Sequence, residues 1–92
     1  MTVNGEIDIY TAPQFEAELC KAYAAPGHVI VDLRNCRYID SSAITTLHRA
    51  SRQSSGKLRL VVDGQSNVKR ILDVTQIEKV VPVYLNIEDA RK

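Results

Sequence analysis

Val29-Ile30-Val31-Asp32-Leu33, followed six residues on by Ile39-Asp40-Ser41-Ser42-Ala43-Ile44, is the stretch on which the fold turns. From His28 to Leu33 the chain is nearly all apolar and β-branched, the composition of a central strand buried on both faces. The second segment places an acid and two hydroxyls where a strand ends and a helix begins. Taken alone, Asp-Ser-Ser reads first as a helix start, its side-chain oxygen capping the free N–H groups of the first turn. The same position can hold a phosphate, because unpaired amides and the helix dipole favour negative charge there. A serine so placed is therefore also a candidate phosphorylation switch.

Working outward, strand and helix signals alternate at βαβα spacing. Val3 to Ile9 reads as a short strand, with Val3, Ile7 and Ile9 apolar and Gly5 marking a bulge. Thr11 is expected to cap a first helix with Pro13 in its first turn. Phe15, Leu19 and Ala22 or Tyr23 share one face of it, and Pro26-Gly27 closes it. Asn35, Cys36 and Arg37 read as a loop, from which Tyr38-Ile39 leads into Asp40. A second helix is expected from about Ser42 to Gln53, with Ile44, Leu47 and Ala50 facing the core and Gly56 as a left-handed cap. Lys57 to Val62 alternates as a strand, and Asp63-Gly64 is turn chemistry. Ser66 caps a third helix carrying Val68, Ile71 and Leu72. Val80 to Tyr84 is a last strand, which Pro82 confines to a sheet edge. Ile87 to Ala90 starts a final helical turn. The expected architecture is α/β: one domain over residues 1–92, a small mixed sheet of about four strands with helices packed on it.

Composition narrows the function. With 12 Lys and Arg against 11 Asp and Glu the net charge is +1, so no basic field gathers nucleic acid. Phe15 and four tyrosines, without Trp, make a poor base-stacking platform. No apolar run reaches membrane-spanning length and nothing resembles a signal peptide, so a cytoplasmic location without membrane insertion is expected. Cys20 and Cys36 match no disulfide framework or metal spacing and read as two partly buried thiols in a reducing compartment. No cofactor is expected. There is no Gly-x-Ser-x-Gly elbow, phosphate-cradling glycine loop or metal-spaced His cluster, so an enzyme is not expected. For a Ser41–His–Asp triad only His28 and His48 are available, one at a strand start and one on the helix that carries the serine.

His48, Arg49 and Arg52 lie together on the second helix and read either as a solvated surface or as a face for an acidic partner. Lys69 and Arg70 read as ordinary surface, and Thr45 and Thr46 as helix-interior hydroxyls. Ser54 and Ser55 read as exposed loop serines open to secondary phosphorylation.

In order along the chain, four segments resemble one family. These are Gly5-Glu6-Ile7-Asp8, Val29-Ile30-Val31-Asp32-Leu33, Tyr38-Ile39-Asp40-Ser41-Ser42-Ala43-Ile44, and Val68-Lys69-Arg70-Ile71-Leu72 with Thr75-Gln76-Ile77. Together they resemble the STAS domain of bacterial anti-sigma factor antagonists. The resemblance implies a partner switch. The unphosphorylated protein binds an anti-sigma factor that is also a serine kinase of ATPase fold, and so frees a sigma factor. Phosphorylation of the motif's first serine, here Ser41, releases the partner, and a phosphatase resets the system. The partner-binding surface so implied comprises Asp8, Asp40, Ser41, Ser42, Ala43, Ile44 and His48, with Asp8 expected near the switch serine. The resemblance also admits a structural STAS module, a scaffold subunit of a stress-signalling assembly or a cytoplasmic partner of a membrane transporter, in which the serine is dispensable. This chain departs from the family pattern at Ala43, where the motif has glycine, and at Gln76, where glycine usually follows the third helix. Its first strand is also very short, which is expected to leave an edge open to a partner or to a second copy in a homodimer.

Overall fold

The computed structural model describes residues Met1–Lys92. In chain order the elements are β1 (Gly5–Ile7), α1 (Ala12–Tyr23), β2 (Val29–Asp32), β3 (Cys36–Ile39), α2 (Ser41–Gln53), β4 (Leu58–Val61), α3 (Asn67–Thr75), β5 (Val83–Tyr84) and α4 (Ile87–Arg91). A 3-10 turn at Ile77–Lys79 links α3 to β5.

The strands form a two-stranded sheet, β1-β3, and a three-stranded sheet in the order β2-β4-β5. Every pairing is parallel, so the sheet is not mixed in direction as the sequence had suggested. The main departure is Cys36–Ile39, expected as a loop and a lead-in but found as a strand paired with β1. The physical reason lies in Met1–Ile7. Met1, Val3 and Gly5 donate their N–H groups to the carbonyls of Ile30, Asp32 and Asn35. One extended segment therefore runs first along β2 and then along β3, and Leu33–Asn35 is a break within a single strand position. Five short strands so occupy four positions, close to the four expected. The register shift at Gly5, whose φ is +83°, absorbs that break.

The main core lies on one face of β2, and on the other face Ile30 is only half-buried. Val29, Val31 and Leu33 are buried together with Leu58, Leu60 and Val62 around β4. Helix α1 adds Ala12, Phe15 and Leu19, α2 adds Ala43, Leu47 and Ala50, and α3 adds Val68 and Leu72. Burying a side chain such as Leu47, which is wholly inaccessible, contributes about 1.5–3 kcal/mol. Helices α1 and α2 pack on each other, α3 packs against β3, and α4 lies against β2, β4 and β5. Arg59 ties α4 down: its guanidinium donates to the Ala90 carbonyl, meets His28 Nε2 at 2.9 Å and lies 5.9 Å from the Tyr84 ring centre.

Three local expectations need correction. Thr11 precedes α1 but does not cap it, because its backbone is helical and its hydroxyl is turned back to accept from the Asp8 amide at 2.9 Å. Ser54 is buried rather than exposed, and its hydroxyl donates to the Ser51 carbonyl. Cys20 is exposed while Cys36 is buried, so the two free thiols do not share an environment. Burial pushes the Cys36 thiol upward, away from the reactive thiolate.

Candidate functional site

The site assembles at the C-terminal ends of β1 and β3. Register pairs Ile7 with Ile39, and the Asp40 amide donates to the Ile7 carbonyl at 3.2 Å. Asp8 and Asp40, the residues that follow these partners, are thus brought to the same end of the same strand pair. From there the chain turns into α2, and Ser41 is its first residue.

Asp40 is the N-cap. Its backbone is extended, and Oδ1 accepts from the amides of Ser42 at 2.9 Å and Ala43 at 3.2 Å. The sequence reading of Asp-Ser-Ser as a helix start therefore holds, with the acid rather than a hydroxyl as cap. This leaves both serine hydroxyls outside the cap. Ser41 is exposed, Ser42 is half-buried, and Ala43 is fully buried. The Ala43 methyl thus lies in the core and not on the surface beside Ser41. Ile44 is half-buried against the core, and His48 is half-buried one turn further along. Thr45 and Thr46 return their hydroxyls to the carbonyls of Ser41 and Ser42, which accounts for both as structural.

Asp8 organises the neighbouring loop. Its Oδ1 accepts from the amides of Tyr10 (2.9 Å) and Thr11 (3.0 Å) and from the Thr11 hydroxyl (3.2 Å). These bonds, that of the Thr11 amide foremost, hold its carboxyl below the usual carboxylate range. The turn ends β1 at Ile7, two residues short of the expected strand. As a result Ile9 is 65% and Tyr10 88% exposed, on the loop that follows the end of β1. Reading Ile9 as a strand residue concealed them. The signal was present in Asp8 and Thr11, an acid and a hydroxyl three apart, which is turn chemistry that interrupts a strand.

The basic face of α2 is narrower than expected. Arg49 Nε lies 2.9 Å from Glu16 Oε2 and joins α2 to α1, so it is not free for an acidic partner. Arg52 stays exposed. His28 sits at the start of β2, the opposite end of the parallel sheet from Ser41, engaged by Arg59.

The STAS domain family model matches residues 1–90. The chain belongs to the STAS domain family. Among similar STAS proteins, the anti-sigma F factor antagonist of Paenibacillus polymyxa is 26% identical over 89 residues, which is 91% of this chain and 75% of that protein. The crystal structure of an anti-sigma factor antagonist from Mycobacterium paratuberculosis matches with a TM-score of 0.86 at 26% identity, covering 97% of this chain and 78% of that one. A Thermotoga maritima protein, 24% identical with a TM-score of 0.76 over 95% of this chain and 78% of its own, shares the fold. No helix in this STAS domain is long and apolar enough to cross a membrane.

Proposed function

We propose that this STAS domain is an anti-sigma factor antagonist. It docks an anti-sigma factor through the surface around the start of α2, frees a sigma factor, and is released when Ser41 is phosphorylated. The observation that carries the reading is the seat of Ser41: an exposed hydroxyl on the first residue of α2, directly after the capping carboxylate of Asp40 and beside the strand end that bears Asp8. Two similar proteins named as anti-sigma factor antagonists, at 26% identity, support the same role.

The chemistry follows from charge. A phosphoserine carries about −1.5 to −2 at neutral pH. Asp40 already takes two first-turn amides, so a phosphate on Ser41 is added to an occupied cap and stays on the surface. A partner fitted to a neutral hydroxyl then has to desolvate a dianion beside fixed carboxylates. An unpaired buried charge costs about 3–5 kcal/mol, enough to weaken binding more than a hundredfold. The fold is retained, because no core group is altered. In this reading Asp8, Ser42, Ile44 and His48 shape the contact surface around Ser41. Ala43 supports it from within, its buried methyl leaving the approach to Ser41 clear. The partner is both anti-sigma factor and serine kinase of ATPase fold, a phosphatase restores the hydroxyl, and the exchange takes place in the cytoplasm.

The test is phosphotransfer. The purified chain, incubated with ATP and the anti-sigma factor of its host, should gain one phosphate that peptide mass spectrometry places on Ser41, and Ser41→Ala should gain none. Phosphate on another residue, or none on the wild type, would overturn the switch.

A further inference from the structure

Ile9 and Tyr10 are adjacent in the chain, and both stand in solvent. The turn that carries them does not need their side chains. It is closed by its other members. The Asp8 carboxylate takes the Tyr10 and Thr11 amides, the Asp8 carbonyl takes the Thr11 and Ala12 amides, and the Thr11 hydroxyl accepts from the Asp8 amide. Turn positions held in this way are ordinarily filled by small or polar residues. Val74 on α3 and Leu85 after β5 are exposed too, but they stand singly, as many surface hydrophobics do. Ile9 and Tyr10 differ in being contiguous and in sitting on a backbone fixed from both sides. Such a backbone has little freedom left to lose when a partner covers it, which favours a strong contact from few residues. Their place follows from register. Ile7 pairs with Ile39, so Ile9 follows one strand end by two residues as Ser41 follows the other. The Asp40 amide donates to the Ile7 carbonyl and fastens the two exits together.

We propose that Ile9 and Tyr10 are the apolar anchor by which the anti-sigma factor is held, giving affinity and partner choice while Ser41 gives control. This rests on the antagonist reading and adds to it the chemistry of the partner: an apolar pocket that takes the Tyr10 ring, with Ile9 packed at its rim. Burial of these two side chains involves no charge. Phosphorylation therefore leaves the anchor intact and acts by adding repulsion to a contact of fixed strength. A second copy of the chain is a poor occupant. A two-fold contact centred on this loop brings Asp8 and Asp40 toward their own copies, and like charges across a contact are destabilising. Both carboxylates accept from backbone amides through Oδ1, which leaves Oδ2 of each with no hydrogen bond inside the chain to offset that repulsion.

The test titrates the purified anti-sigma factor of the host, by calorimetry, with four forms of the chain: wild type, Ile9→Ser with Tyr10→Ser, Tyr10→Phe, and Val74→Ser. Val74 is 76% exposed and serves as the matched surface control. The double variant should bind at least about tenfold more weakly. Tyr10→Phe, which keeps the ring, and Val74→Ser should match wild type. With ATP present, the double variant should raise KM for phosphorylation of Ser41 and leave kcat at saturation unchanged. Its melting temperature should not fall, which separates an anchor from a structural residue. Undiminished binding by the double variant, an equal loss with Val74→Ser, or a fall in kcat at unchanged KM would overturn the proposal and leave the antagonist reading in place. A wild-type dimer that the double variant dissociates would assign the loop to a second copy and overturn it as well. If wild type itself neither binds nor is phosphorylated, the antagonist reading fails and the anchor fails with it.

Discussion

Asp40→Ala separates the helix cap from everything else at the site. In the native chain one carboxylate oxygen satisfies the Ser42 and Ala43 amides at 2.9 and 3.2 Å. Alanine leaves both amides to water at the start of a 13-residue helix that supplies Ala43, Leu47 and Ala50 to the core. Losing an N-cap costs about 0.5–2 kcal/mol, and two bonds from a half-buried cap put the expected loss at about 1–2 kcal/mol. For a domain of this size that lowers the melting temperature by roughly 5–15 °C. Asp40→Asn keeps the acceptor and loses only the charge at the helix N-terminus, worth about 0.3–1 kcal/mol. Urea unfolding followed by circular dichroism measures both variants, and hydrogen exchange at the Ser42 and Ala43 amides locates the effect. Alanine within about 0.3 kcal/mol of wild type would refute the assignment of Asp40 as the cap. Asparagine as costly as alanine would show that charge, not the acceptor, holds the helix.

Three further outcomes are expected. The carboxyls of Asp8 and Asp32 are held low, the first mainly by the Thr11 amide and the second mainly by the Arg34 side chain. Folded values below the ordinary 3.8 mean that this stability is present above that pH and is lost as pH falls through the depressed values. Urea midpoints between pH 6 and 2 should therefore fall on the acid side, and Asp8→Asn with Asp32→Asn should flatten that limb; an unchanged limb would contradict the assignment. Burial pushes the Tyr23 phenol up to about 12 from 10.0. Its neutral form stabilises the fold below pH 10 and that contribution disappears as pH rises toward 12, so Tyr23→Phe should remove this alkaline loss, measured by the same titration. Gln76 ends α3 in the left-handed region with φ +59°, where a side chain is strained. Gln76→Gly should stabilise the domain by about 0.5–1 kcal/mol in urea unfolding, and a loss of stability would contradict the strain.

Much of this architecture was legible because its signals are local and strong. The β-branched run at Val29–Leu33, the Ser66 cap and the turn at Asp63-Gly64 each match one element that follows from residue chemistry alone. Family likeness implied that Asp8 lies near Ser41; in the structure Asp8 and Asp40 follow the paired residues Ile7 and Ile39, because two parallel strands end level with each other. What escaped was tertiary. Cys36–Ile39 mixes Cys, Arg and Tyr and carries little strand signal, since only Cys36 and Ile39 are buried. It becomes a strand because the N-terminal segment outlasts β2 and needs a partner. Arg49 looked available until α1 brought Glu16 to it. Ile9 was drawn into the strand by its apolar side chain, although the Asp8 turn had already ended it. At Gln76, where the family pattern has glycine, the backbone is left-handed with φ +59°, and this chain meets that geometry with a strained residue.

The central claim is that Ser41 controls partner binding. The most direct measurement compares wild type, Ser41→Ala and Ser41→Asp as baits in host lysate, with captured proteins identified by mass spectrometry and affinities then measured on the purified partner. The account predicts an anti-sigma factor of ATPase fold held by wild type and alanine and lost, by more than about a hundredfold, with aspartate. A partner held equally by all three would contradict it and leave Ser41 as no more than the first residue of a well-capped helix.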